Sequence, residues 1–262
     1  MELIGRGTSG VVYRAVGNAD EPPVAIKMLL QGSLATPEER ARFLREARLT
    51  AGLRHPGIAP VREIGEENGA PFMVMDYIPG ASLEKTLQQR AFEPKETARL
   101  LVRLARAVHF AHQSGVIHRD LNLGNILLGE DGEPIITDFG LARNLREAQR
   151  ISCAGELAGT PAFMAPEQVR GDRDAMDERT DVYALGAILF TLLTRRPPFV
   201  RPSFIETINS VLRDAPPRVR ALNPTVPARV EDVVRRALKK KPKARHPSAL
   251  AFAEELESAL AQ

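Results

Sequence analysis

The chain has no tryptophan and a single cysteine, Cys153, and only 5% of its 262 residues are aromatic. One cysteine excludes an internal disulfide and a cysteine-based zinc cluster, and it suits a reducing compartment. The five histidines fall at no metal-ligand spacing. No apolar run approaches the roughly 18 residues of a spanning helix, and no signal-peptide pattern opens the sequence. The excess of one charge sign is small as well, with 36 Lys and Arg against 33 Asp and Glu. The formal net charge is +3, and the only dense basic run, Lys239-Lys240-Lys241, reads as a solvated helix end. No nucleic-acid partner and no membrane segment within these residues are therefore expected. The remainder, 44% hydrophobic and 26% charged, has the composition of an ordinary globular protein, long enough for one large domain or two lobes around a cleft.

The first third reads as strands. Glu2 to Val16 alternates around a glycine turn, and Val24 to Leu30 is a short apolar strand ending on a lysine-bearing stretch. Thr36-Pro37-Glu38-Glu39 then predicts a helix start, with Thr36 as N-cap, Pro37 at the first helical position and Glu39 completing a capping box. That helix is expected to reach about Leu53, followed by strands over Gly57 to Glu66 and Pro71 to Ile78. Beyond Pro79-Gly80 the period changes to helical: Pro94 to Ser114, Asp181 to Leu193 (apolar almost all round), Ser203 to Arg213, Ala228 to Lys240 and Ser248 to Ala261. The expected fold class is α+β. A small β-rich lobe, residues 1–78, carries one main helix, and a larger, mainly helical lobe, residues 79–262, completes a single domain.

Three constellations carry chemistry. Gly5-Arg6-Gly7-Thr8-Ser9-Gly10-Val11-Val12 lets a strand-turn-strand close over phosphates and offer them backbone N–H groups. The next element reads as a strand rather than a helix, which argues against a dinucleotide-binding turn. Lys27, polar in an apolar strand, can meet phosphates when a carboxylate holds it, and Glu46 on the following helix is the candidate. The third is His118-Arg119-Asp120-Leu121-Asn122-Leu123-Gly124-Asn125, with Asp138-Phe139-Gly140 after it. There Asp120 can accept a proton from an attacking hydroxyl, while Asn125 and Asp138 offer oxygens to a hard divalent cation.

In this order, with Ala165-Pro166-Glu167 following, these motifs resemble the eukaryotic-type protein kinase catalytic domain that bacteria use as serine/threonine kinases. The resemblance covers nearly the whole chain, with the first strand expected to lack several residues before Met1. It implies a bilobal fold that transfers the γ-phosphoryl of ATP, with magnesium or manganese, to Ser/Thr hydroxyls of protein substrates. It further implies that Ile4, Val12, Ala25 and Leu127 sandwich the adenine, with Met75 behind it and backbone groups of Asp76 and Ile78 at its edge. Lys27, held by Glu46, would grip the phosphates. Asp120 would be the base, Asn125 and Asp138 the metal ligands, and Arg119 would seek an acidic partner on the activation segment. Thr160 would bond near Asp120, Glu167 would pair with Arg245, and Asp181 would brace the catalytic loop. Ser152 is the only hydroxyl residue between Asp138 and Thr160, hence the candidate autophosphorylation site, which a kinase homodimer would serve.

One position departs from the resemblance. Asn122-Leu123 stands where such kinases usually have Lys-Pro, and asparagine cannot neutralise charge on a transferring phosphate. Slower transfer is expected, on the order of 10- to 1,000-fold by analogy with losing one oxyanion donor. The competing readings are a pseudokinase or nucleotide-binding scaffold, with weak or no transfer, and a kinase for small molecules. The peptide platform of Gly159 to Glu167 with Arg245 argues against the latter. A cytoplasmic location is expected, either alone or as the cytoplasmic part of a longer, membrane-anchored kinase.

Overall fold

The computed structural model describes residues 1–6, 10–17, 21–29, 31–139 and 160–260; the side chains of Ser33, Glu46, Thr160 and Arg173 lie outside the description. The N-terminal lobe is an antiparallel five-stranded sheet in the order β1-β2-β3-β5-β4. Its strands are β1 (Glu2–Arg6), β2 (Gly10–Ala15), β3 (Val24–Leu29), β4 (Val61–Glu67) and β5 (Ala70–Asp76). One helix, α1 (Pro37–Ala51), lies against it and starts as expected, with Thr36 accepting from the N–H of Glu39 and the Glu39 side chain returning to the N–H of Thr36. The Thr36 N–H and the Thr36 hydroxyl both donate to the Glu39 carboxylate and hold it below the usual carboxylate range. Phe43, Leu44, Ala47 and Ala51 recur at helical spacing, and they meet Val61, Met73 and Met75 in the small core of this lobe.

Alternation along β3 buries Ala25, Lys27 and Leu29 on one face. A lysine is thus built into an inward row, where it must find a partner. The strand expected from Gly57 begins only at Val61. Pro60 has no N–H to donate to a ladder, and Ile58 makes a lone parallel bridge to Ile136 instead.

The C-terminal lobe opens with β6 (Gly80–Ser82) and α2 (Leu83–Gln89), then α3 (Pro94–Gln113). A second sheet pairs β6 with β7 (Ile126–Gly129) and β8 (Pro134–Ile136). Gly80 sits at φ 144°, and a Cβ there would fall 2.0 Å from the Leu128 carbonyl oxygen, so no other residue fits where β6 crosses β7. Then follow α4 (Pro166–Arg170), α5 (Arg179–Thr194), α6 (Phe204–Arg213), α7 (Val219–Leu222), α8 (Ala228–Ala237) and α9 (Ala249–Leu260). Every residue of α5 from Thr180 to Leu193 is buried, as its all-round apolar pattern demands, and α3, α8 and α9 pack around it. Among the described residues no helix is long and apolar enough to cross a membrane.

The helix expected to reach Lys240 stops at Ala237, and the basic run behind it is not simply solvated. Lys240 is half-buried, donating to the Val211 carbonyl at 2.6 Å at the end of α6 and lying 3.8 Å from the centre of the Phe199 ring. Burial lowers its pKa to about 8, against the pull of Asp214.

Where α5 meets α8 there is room only for glycine: a Cβ on Gly186 would lie 2.5 Å from that of Ala237. Gly186→Val should therefore lower stability by about 1–3 kcal/mol through overpacking, read as a fall in Tm in thermal unfolding. An unchanged Tm would mean that the two helices separate freely.

Candidate active site

The central helix sets the catalytic loop. Asp181, in the first turn of α5 and only 1% exposed, accepts the backbone N–H groups of His118 and Arg119, both at 2.8 Å, and bonds His112 Nε2 at 2.8 Å. Burial opposes its ionisation. The His112 hydrogen bond and the interactions with His112 and His118 outweigh that and hold the carboxyl below its ordinary value near 3.8. Gripped this way, Arg119 adopts φ 64°, a left-handed conformation costing a non-glycine residue about 1–2 kcal/mol. His118, fully buried, accepts the N–H of Asp120 at Nδ1, so its proton sits on Nε2, which donates to the Thr137 carbonyl at 2.9 Å. Its ring packs 4.6 Å from that of Phe139.

These contacts put Asp120 beside Asn125. The Asn125 amide donates to the Asp120 carbonyl at 2.8 Å and to its carboxylate Oδ2 at 3.2 Å. Asn122 donates to the same carbonyl at 2.9 Å and reaches Oδ1 at 3.4 Å. The Asn125 carbonyl in turn accepts the N–H of Thr137 at 2.9 Å, which brings the residue before Asp138 against the loop. Asp138 is also left-handed, at φ 61°. Two strained backbone positions at one site mark a geometry imposed by its surroundings.

Across the cleft, Lys27 is 2% exposed and donates from Nζ to Asp138 Oδ1 at 2.5 Å. The expected partner, Glu46, lies on α1, but its side chain is outside the description. The cleft between the lobes has a volume of about 650 Å³ and is lined by Ile4, Gly5, Arg6, Gly10, Val12, Ala25, Lys27, Met75, Asp76, Ile78 and Leu127 on the side expected for the nucleotide, with Asp120, Asn125 and Asp138 at its polar end. That size suits a mononucleotide. Val11, expected among these, does not line it: alternation along β2 turns Gly10 and Val12 to the cleft and Val11 away. The N–H of Asp76 is already donated to the Pro60 carbonyl at 3.0 Å, and its side chain is tied to Arg62.

The residues present fit a hard divalent cation. With both Asn125 amide hydrogens directed at Asp120, its Oδ1 is the atom left to ligate, and Asp138 Oδ2 keeps a lone-pair face beside the Lys27 bond. One amide and one carboxylate oxygen are a set that magnesium completes with water and phosphate oxygens.

Behind the loop, Glu167 meets Arg245 in a fully buried fork, 2.7 Å on both arms. Nε and the remaining N–H groups of Arg245 reach the carbonyls of Lys239, Arg179 and Lys240, and Thr180 adds a hydrogen bond to Glu167, so the ion pair is satisfied throughout. Beside it, Gln168 donates to the Arg119 carbonyl at 2.6 Å. Gly7, Thr8, Ser9 and Ser152 lie outside the described residues, as does the Thr160 side chain. Sequence reasoning missed His112 and Gln168 as supports of the loop, and Glu84 and Lys85 of α2 on the cleft wall. The polar start of α2, with Ser82 as N-cap, was the available signal for the last two.

Two lobes around a polar-ended cleft define a nucleotide-handling architecture, and comparison with known proteins supplies its family. The family model of the protein kinase domain matches residues 1–256, and the chain belongs to that family. It is 38% identical over 258 residues to the DNA damage-responsive serine/threonine-protein kinase RqkA of Deinococcus radiodurans, covering 97% of this chain and 38% of that one. It is 33% identical over 250 residues to the serine/threonine-protein kinase PrkC of Bacillus subtilis, covering 95% and 38%. The solved kinase domain of Mycobacterium tuberculosis PknI is similar with a TM-score of 0.78 at 28% identity, covering 100% of this chain and 94% of that one. The chain spans about two fifths of the length of the curated relatives it matches.

Because the folded-state pKa of Asp181 lies below its unfolded value, its contribution to stability is present above the ordinary carboxylate range and is lost as pH falls through the lowered value. Asp181→Asn should lower Tm at neutral pH, and the gap to the unsubstituted protein should narrow in acid. Thermal unfolding between pH 3 and pH 7 checks this; a gap independent of pH would show that the charge is not what matters.

Proposed function

We propose that this domain transfers the γ-phosphoryl of ATP to Ser/Thr hydroxyls of protein substrates, itself included. The observation that carries the reading is the placement of Asp120, Asn125, Asp138 and Lys27 in one cleft that Ile4, Val12, Ala25, Met75 and Leu127 also line. Adenine would lie between Ile4, Val12 and Ala25 above and Leu127 below, and the phosphates would run towards Lys27. Asp120 accepts a hydrogen bond from the incoming hydroxyl and aims its oxygen at the γ-phosphorus. As that O–P bond forms, the bond to the β,γ-bridging oxygen breaks, ADP departs, and the hydroxyl proton passes to Asp120 and then to solvent. Held by Asn125 and Asp138, magnesium (or manganese) would offset charge on the phosphate oxygens. Lys27, sequestered from water, adds a positive charge that is weakly screened.

Glu167, paired with Arg245, follows the buried stretch Pro161 to Ala165 and fixes its end in the core, and this supports a peptide acceptor. All four polar residues being present leaves the scaffold reading with Asn122 alone. We further propose Ser152 as an autophosphorylation site, reached in a homodimer, and a cytoplasmic setting where ATP is supplied. The substrate, trigger and anchorage of a longer protein would lie with its other parts.

Transfer from radiolabelled ATP to casein, myelin basic protein or the domain itself tests the reading. Asp120→Asn should reduce kcat by about 10²- to 10⁴-fold with ATP affinity retained. Asp138→Asn should lose both transfer and the magnesium dependence of nucleotide binding. ATP binding without transfer under magnesium and manganese would sink the proposal. Phosphopeptide mapping after incubation with ATP should find Ser152 modified; activity that rises while Ser152 stays unmodified would remove it from regulation.

A further inference from the structure

We propose that Asn122 is a positioning residue: it staples the carboxylate of Asp120 to the turn that follows, and it does not stand in for a missing phosphate-binding cation. The inference rests on the reading of Asp120 as the base. Asn122 is the N-cap of the 3₁₀ turn Leu123–Asn125, with its Oδ1 accepting the N–H of Gly124 at 2.9 Å. Its Nδ2 donates to the Asp120 carbonyl at 2.9 Å and approaches Asp120 Oδ1 at 3.4 Å. Asn125 approaches the other carboxylate oxygen, Oδ2, at 3.2 Å. Each oxygen of the base is thus met by a different asparagine amide, and rotation of the carboxylate about its own axis breaks both contacts.

The chemistry demands a donor and an acceptor on one short side chain. Lysine would supply donors but could not accept the Gly124 N–H. Aspartate would accept it but would set a second negative charge against Asp120. Alanine does neither. The neighbour agrees with this assignment, since a Cβ on Gly124 would lie 3.2 Å from Asn122 Oδ1 and crowd the cap. A residue kept only as a neutral replacement for a cation would need neither bond.

Asn122→Ala, Asn122→Asp and Asn122→Lys, compared in transfer kinetics and in hydrogen exchange at the Gly124 amide, decide the matter. Asn122→Ala and Asn122→Asp should each lower kcat by about ten- to a hundredfold, as expected when a reacting group loses its alignment. KM for ATP should stay close to that of the unsubstituted domain. Gly124 should exchange faster in Asn122→Ala but stay protected in Asn122→Asp, which keeps the cap, so the loss in the aspartate variant reads the hold on Asp120 alone. Asn122→Lys should be no faster than the unsubstituted domain. Retention of kcat within about twofold in the alanine or aspartate variant would overturn the proposal, as would a faster lysine variant. If the unsubstituted domain transfers no label, it is the phosphotransfer reading that fails, and unchanged Gly124 exchange in Asn122→Ala would then refute the role of Asn122 separately.

Discussion

A carboxylate out of reach of water, Asp181, holds the rest of the site in place. It is charged in the middle of an apolar lobe, which is tolerable only because two backbone N–H groups and His112 converge on it. Hydrogen bonds to a charged group contribute about 1.5–3 kcal/mol each, enough to offset the left-handed backbone that Arg119 must accept to place both donors. Since α5 is buried along its length, the anchor is as rigid as the core around it. The loop therefore takes its coordinates from a helix buried from Thr180 to Leu193, and Asp120 follows one residue later.

From that anchor the constraints propagate by short steps. His118 links the loop to Thr137 and packs on Phe139, which fixes the strand end that presents Asp138. Asn125 closes the same circuit from the other side through its carbonyl. Lys27 then joins the lobes, because its own strand buries it and its Nζ donates to Asp138 across the cleft. Each polar group here satisfies another, so removing one leaves a buried donor or acceptor exposed to none. The Glu167–Arg245 fork repeats the pattern below the cleft, with every N–H of the guanidinium engaged.

How much of this could be read from the sequence depended on the separation of the partners. Residues 118–125 encode their turn locally, and so the grouping of Asp120 with Asn125 was legible from spacing alone, as were the capping box at Thr36 and the apolar helix around Tyr183. Alternation gave the strands, and stricter use of it would have turned Val11 away from the cleft. Contacts between distant residues left no periodic trace: Lys27 with Asp138, 111 positions apart, His112 with Asp181, 69 apart, and Gln168 with Arg119, 49 apart. Helix α2, seven residues long, is too short to establish a period, and β7 and β8, four and three residues long, are too short to show alternation. Pro60 ended a strand that composition alone extended.

The missing loop lysine is best weighed by where the remaining charge sits. A flexible cation at the cleft mouth acts through water, where a unit charge at 4 Å is worth only about 1 kcal/mol. Lys27 acts from a site that is 2% exposed, where screening is far weaker and the same charge counts for several times more. Its position also costs no ordering at the moment of reaction, because β3 and Asp138 already fix it. A loop relieved of the task of supplying charge is free to spend its side chain on geometry. Asn122 does so, joining Asp120 to the turn that follows it through both ends of one amide.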